Sequence, residues 1–234
     1  MNIKKVKYLG KDIVLQIRDS VDNSVAAEIF KHREYRRAET AISEAKIVII
    51  DVGAHAGYFT IYCRAINPIV KVLALEPEPE NYQFLLENIR LNKIENVEPL
   101  ELALSGISGE ADLLISGDSH NHSLSGNDML VTGKSIKVKT CSLSDLAERY
   151  KLKKIDLIKM DIEGEEYNVI SKLSDNDFSI VSAFIFEYHN FGARNHKIIE
   201  KILRENHFGV EIFPSKFDKK MGFIFARNKL LKRN

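Results

Sequence analysis

The run Ile47-Val48-Ile49-Ile50 is the feature that most constrains this chain. Four consecutive β-branched residues without polar alternation describe a strand buried on both faces. Strands of that kind belong to parallel sheets covered by helices on either side. The run ends at Asp51-Val52-Gly53, and a helical stretch follows from about Gly57 to Ile66, stopped by Asn67-Pro68. The pattern then repeats. Val70 to Leu75 is a second apolar run, Pro79 to Asn92 places Tyr82, Leu85, Leu86 and Ile89 on one helical face, and Val97 to Leu102 is a third strand. Such alternation predicts an α/β fold built on a parallel sheet.

The alternation resumes after residue 140 with a helix over 142–150, a strand from Ile155 to Met160 and a helix over 164–173. A strand from Ile180 to Phe186 and a helix over 194–206 follow. Val210 to Phe213 and Gly222 to Ala226 are joined by a loop with no room for a helix, so they must run antiparallel. The result is a Rossmann-like, seven-stranded, mostly parallel sheet closed by an antiparallel C-terminal hairpin, over residues 46–234. Residues 1–45 read as an extension, with a hairpin around Gly10 and helical composition from Asp22 to Glu44. A polar excursion over 105–140 carries two alternating pieces, Ala111 to Ile115 and Ile136 to Thr140, expected to pair beside the main sheet.

Composition narrows the function classes. Lys+Arg 34 against Asp+Glu 33 leaves a net charge of +1, so no global field attracts nucleic acid. Cys63 and Cys141 stand in no metal or redox spacing, which excludes a disulfide scaffold and a zinc finger. Charges interrupt every apolar run near the N-terminus, and no run reaches membrane length. The expectation is a soluble, cytoplasmic chain without signal peptide or membrane span. No residue pattern speaks to its oligomeric state.

Ligands of open α/β sheets bind at the carboxyl ends of the strands. The first such end here reads Asp51-Val52-Gly53-Ala54-His55-Ala56-Gly57-Tyr58, where Gly53 and Gly57 allow a tight turn and close backbone approach. The dinucleotide pattern G-x-G-x-x-G is absent, because position 55 is His. Asp51 repels a pyrophosphate but suits an ammonium group or a hydroxyl. Glu76 closes the second strand nineteen residues beyond Gly57, a spacing suited to ribose hydroxyls. Ribose, an amino group and no phosphate together describe S-adenosylmethionine. Ala103 and Ser105, after the third strand, are candidate adenine neighbours, while Tyr58 and Phe59 read more readily as helix packing.

The segment Asp51 to Thr60 resembles the nucleotide-binding motif of FkbM-type methyltransferases. The similarity continues through Glu76-Pro77-Glu78-Pro79-Glu80-Asn81, Asn88-Ile89-Arg90-Leu91-Asn92 and Ala103-Leu104-Ser105 with Gly109. It extends over Lys159-Met160-Asp161-Ile162-Glu163-Gly164-Glu165-Glu166 and ends at Glu187-Tyr188-His189. The family pattern often has Asn where this chain has His55. The resemblance implies a class I methyltransferase fold and S-adenosylmethionine as donor, held at Asp51, Gly53, Ala54, Gly57, Tyr58, Glu76, Pro77 and Ser105. It implies, usually, O-methylation of an acceptor such as a sugar, glycoconjugate or small metabolite.

The fourth and fifth parallel strands deliver the candidate reacting groups, Asp161 and Glu163 from one and Glu187 and His189 from its neighbour. Adjacent strands lie about 4.8 Å apart, so these groups can converge. Methyl transfer to an alcohol needs in-line positioning and removal of a proton. A bare base serves, or a divalent cation such as Mg²⁺ or Mn²⁺ on Asp161, Glu187 and His189. Competing readings leave Glu163 capping its helix and Glu187 paired with Lys159. Glu166 reads as a helix-surface residue or one behind the site, and His120 and His122 as part of a substrate-side lid. Two rival functions stand beside this one: RNA methylation through the basic ends of the chain, and a non-catalytic nucleoside-binding module.

Overall fold

The computed structural model describes residues 2–116, 131–190, 195–215 and 220–231. Strands β1 (Asn2–Tyr8) and β2 (Lys11–Ile17) pair antiparallel. Leu9 and Gly10 both have positive φ, as a two-residue hairpin loop of the right twist requires. Helix α1 (Ser20–Ala27) is capped by the Asp19 side chain. The continuous helical stretch expected to Glu44 does not form. A π-helical turn over Glu28–His32 and a 3₁₀ turn over Glu34–Ala38 meet at Arg33, which is left-handed, before α2 (Glu39–Glu44). The Arg33 guanidinium donates to Glu39, and Glu39 also receives the hydroxyls of Tyr8 and Tyr62. Tertiary bonds thus override helical composition there.

The alternating core follows as β3 (Val48–Val52), α3 (Tyr58–Ile66), β4 (Lys71–Leu75), α4 (Pro79–Leu91) and β5 (Val97–Leu100). The polar excursion contributes β6 (Ala103–Leu104), β7 (Gly109–Ser116) and β8 (Val131–Cys141), a separate three-stranded sheet. Ala111 faces Val138 and Leu113 faces Ile136 in its register, the expected pairing. His120 and His122 lie outside the described residues. Then come α5 (Leu143–Arg149), β9 (Leu157–Met160), α6 (Glu166–Lys172) and α7 (Asp175–Ile180). The chain ends with β10 (Ala183–His189), α8 (His196–Glu205), β11 (Phe208–Pro214) and β12 (Met221–Asn228). Ile180, expected to open a strand, instead ends α7, a helix that the expected alternation lacks. Its start is a capping box, in which Ser174 and Asp177 satisfy each other's backbone N–H groups.

The main sheet has the order β11-β12-β10-β9-β3-β4-β5. Only β12 runs against the others, slotted between β10 and β11 and antiparallel to both. Strand order reverses between β3 and β9, which pair in parallel, and that switch point opens a crevice at their carboxyl ends. Every residue of β3 is buried. Its alternate positions divide two cores: Ile49 with Phe59, Tyr62, Leu157 and Ile185, and Ile50 with Leu73, Ile158 and Phe186. The first core also takes in Leu15, Ile17, Phe30, Tyr35 and Ile42, so the first 45 residues pack directly onto this face of the sheet. No helix among the described residues is long and apolar enough to cross a membrane.

Candidate active site

The loop after β3 is shaped by two glycines in conformations that L side chains avoid. Gly53 has φ +71°, and a Cβ there would lie 2.1 Å from the Asp161 carbonyl oxygen. Gly57 has φ +84°, and its Cβ would meet the Leu85 side chain at 2.6 Å. The N–H groups of Gly53 and Ala54 both donate to the Leu75 carbonyl, at 3.0 and 2.9 Å, tying the loop to the end of β4. His55 completes the turn at φ 51°, in a region where His, Asn and Asp are the usual non-glycine occupants.

A cleft opens at this switch point, with Gly53, His55, Glu76, Pro77, Leu104 and Asp161 among its walls. Glu76 is 5% exposed. Its Oε2 accepts the His55 N–H at 2.7 Å and its Oε1 the Glu78 N–H at 3.0 Å. Burial pushes this carboxyl up to about 7, against the opposing pull of those two N–H groups. Ala103 also lines the cleft, while Ser105 donates to Glu165 Oε1 at 3.1 Å behind it. Glu165, a cleft residue, is one of three acids in Glu163-Gly164-Glu165-Glu166, and nothing in that run marks which of them faces the cleft.

Of the residues assigned to the donor from sequence, Asp51, Ala54, Gly57, Tyr58 and Ser105 do not line the cleft. Asp51 has no exposed surface: Oδ2 accepts the Thr60 hydroxyl at 2.6 Å, and Oδ1 lies 3.2 Å from Lys159 Nζ. Its position in β3 shares the parity of Ile49, which turns it beneath the loop toward α3. Lys159 in turn donates to the Gly53 carbonyl at 2.8 Å. Tyr58 is 1% exposed, donates to the Gln16 carbonyl at 2.7 Å and does not line the cleft. Ala54 is buried in the turn.

The acid-rich end of the crevice centres on Asp161. Tyr35, brought by the 3₁₀ turn and wedged edge-on against Phe59 and Phe223, donates its hydroxyl to Asp161 Oδ2 at 3.1 Å. Lys159 Nζ is 3.9 Å from the same oxygen. Glu163 is left-handed, at φ 54°, and does not cap α6, whose N-cap is Glu165. Burial first, then the charges of Asp161 and Glu166, push the Glu163 carboxyl well up. Glu187, on the same sheet face from β10, is pushed up by burial and then by Asp161 and Glu163. Lys159 therefore serves Asp51 and the loop rather than Glu187.

Glu166 lies wholly inside, not on a helix surface, and its two oxygens accept the N–H groups of Ile162 and Gly164 at 2.8 Å each. It clamps the turn that carries Glu163, and burial pushes it up to about 7. His189 ends β10 opposite Met221, and neither it nor Glu187 lines the cleft. Among the described residues no three Asp, Glu, His or Cys side chains form a group that could hold a metal ion. Asp161, Glu187 and His189 thus do not fit the cation site that their strand positions allowed.

The sheet order, the glycine turn and the buried acid at the end of β4 frame this cleft at the switch point. Residues 51–210 match the model of the methyltransferase FkbM domain. The hexuronic acid methyltransferase AglP of Haloferax volcanii is 28% identical over 206 residues, 86% of this chain and 81% of that one. The 31-O-demethyl-FK506 methyltransferase FkbM of Streptomyces tacrolimicus is 25% identical over 210 residues, 78% of this chain and 80% of that one. A solved SAM-dependent methyltransferase from Agrobacterium tumefaciens shares the fold, with a TM-score of 0.51 at 10% identity, over 97% of this chain and 70% of that one. This chain belongs to the FkbM family and is an S-adenosylmethionine-dependent methyltransferase.

Proposed function

We propose that the enzyme methylates a hydroxyl of a sugar, glycoconjugate or other small metabolite, with Asp161 as the base that receives the hydroxyl proton. The observation that carries this reading is the Asp161 carboxylate in the wall of the donor cleft, oriented by the Tyr35 hydroxyl. The acceptors named for two relatives, a hexuronic acid and the 31-oxygen of a demethylated natural product, are of the same oxygen-bearing kind.

S-adenosylmethionine supplies a methyl group on a sulfonium centre. Glu76 accepts the ribose hydroxyls, Gly53 admits the ligand close to the backbone, and Pro77, Ala103 and Leu104 offer apolar surface to the adenine. Asp161, in the wall of this cleft, would hold the acceptor hydroxyl for in-line approach and take its proton as the methyl group passes from sulfur to oxygen, the sulfur–carbon bond breaking and its electron pair returning to sulfur as the oxygen–carbon bond forms. Glu163 and Glu187, whose carboxyls are pushed up by burial and then by Asp161, stand beside this base rather than in the donor cleft.

The test is incubation with S-adenosylmethionine and a panel of 4-nitrophenyl glycosides, neutral and uronic, with mass-spectrometric detection of a 14 Da gain, the mass of one CH₂, roughly, per transferred methyl. Methylated glycoside that Asp161→Asn reduces by about a hundredfold or more supports the reading. Donor binding with no methylated glycoside, and methyl transfer to total RNA instead, would overturn it.

A further inference from the structure

We propose that Arg18 is a positioning residue of the donor site, holding Glu76 ready for the ribose through His55 and Asn81. Arg18 follows the last residue of β2 and lies well outside the segment that matches the family model. Nothing in the local sequence marks it as part of a ligand site. The proposal rests on the reading of Glu76 as the ribose acceptor.

The guanidinium is almost buried, with 11% of the side chain exposed, and its counter-ion Asp22 is fully buried. Its Nε and Nη2 donate to the two Asp22 oxygens at 2.9 Å each, and its plane lies over the Phe84 ring at 4.4 Å. Two further bonds leave this pair and point at the donor site. Nη1 donates to Asn81 Oδ1 at 2.7 Å, and Nη2 donates to His55 Nε2 at 2.7 Å. Because a guanidinium only donates, His55 Nε2 is the acceptor in this contact.

Both recipients hold Glu76. The backbone N–H of His55 donates to Glu76 Oε2 at 2.7 Å, and the Asn81 side chain bonds the same carboxylate. One planar, five-donor group therefore fixes, from one side, the donor loop after β3 and, from the other, the first turn of α4. A buried ion pair is by itself weak evidence for stability, so the Arg18–Asp22 pair does not by stability alone account for where the remaining donors point. Lysine cannot do this work, since a single ammonium cannot span His55 and Asn81 in the fixed geometry of the fork. The consequence is that the N-terminal segment is part of the donor site, although the carboxylate that meets the ribose lies some sixty residues further on.

The experiment is calorimetric titration of the full chain with S-adenosylhomocysteine, comparing wild type, Arg18→Lys, Arg18→Met/Asp22→Asn and Glu76→Ala, alone and combined. The double variant removes both buried charges together, so neither is stranded, and ligand-free melting temperatures verify the fold. The expected result is about tenfold weaker binding for both Arg18 variants, the loss of roughly one charge-assisted hydrogen bond, and less than about twofold further weakening when Glu76 is already Ala. Competition by adenosine should fall with the Arg18 variants, while competition by 2′,3′-dideoxyadenosine should not. Wild-type affinity in Arg18→Lys and in the folded double variant, or equal loss for adenosine and its dideoxy analogue, overturns the proposal. Wild-type affinity in Glu76→Ala overturns the ribose reading instead.

Discussion

Lys159 Nζ sits 3.2 Å from Asp51 Oδ1 and donates at 2.8 Å to the carbonyl of Gly53, so one buried ammonium ties the end of β9 to the donor loop. Both side chains are almost wholly removed from water, at 4% and 0% exposure. Replacing Lys159 by Met strands the Asp51 charge and is expected to cost about 3–5 kcal/mol of stability. Lys159→Met/Asp51→Asn should recover most of it. Urea unfolding of the two variants checks this, and equal stability would refute the pairing as the source of the loss.

Donor affinity should depend on pH through Glu76. Its carboxyl is pushed up to about 7 by burial, and in the proposed donor site the ribose hydroxyls would donate to the ionised form. Below about pH 7 the group must lose a proton to bind, so S-adenosylhomocysteine affinity falls by up to about tenfold per pH unit. Above pH 8 it levels off. Glu76→Gln should bind weakly with that pH dependence removed, as titrations from pH 5.5 to 8.5 would show.

The two loop glycines should respond differently to a methyl group. At Gly53 an added Cβ meets backbone, 2.1 Å from the Asp161 carbonyl oxygen, so Gly53→Ala displaces the loop and abolishes donor binding. At Gly57 it meets the end of a Leu85 side chain that can turn aside, leaving mainly the strain of φ +84°, of order 1–2 kcal/mol. Gly57→Ala should bind S-adenosylhomocysteine measurably more weakly but still bind it.

The ligand-free protein should be more stable in mild acid than at pH 8. Glu76 and Glu166 are both raised from 4.5 to about 7 by burial. Between those values the native state holds protons that the unfolded chain has released, so stability is lost as pH rises through about 7. Each contributes up to about 3 kcal/mol, and Glu163 and Glu187 act in the same direction. Melting temperature measured from pH 5 to 8 should fall. S-adenosylhomocysteine should offset the alkaline part of the fall, since it favours ionised Glu76.

Much of the fold is written in local patterns. The β-branched run at 47–50 is β3, and the spacing from Gly57 to Glu76 puts an acid at the end of β4. Asp161 was accessible in the same way, as an acid just past a buried strand at the switch point. Asp51 was not, because the pleat sends alternate residues to opposite faces and Asp51 shares the face of Ile49. The break at Arg33 was equally hidden: it depends on Glu39 meeting Tyr8 and Tyr62, partners thirty-one and twenty-three residues away.

By itself the sequence determined the sheet, the glycine turn and the acids at the strand ends, because hydrophobic period and backbone freedom are properties of neighbouring residues. Tertiary structure decided which acids face the cleft and what holds them. Tyr35 reaches Asp161 across 126 residues, and Arg18 reaches His55 and Asn81 across 37 and 63. Burial, which sets the protonation of Glu76, Glu163, Glu166 and Glu187, exists only once those distant segments have packed.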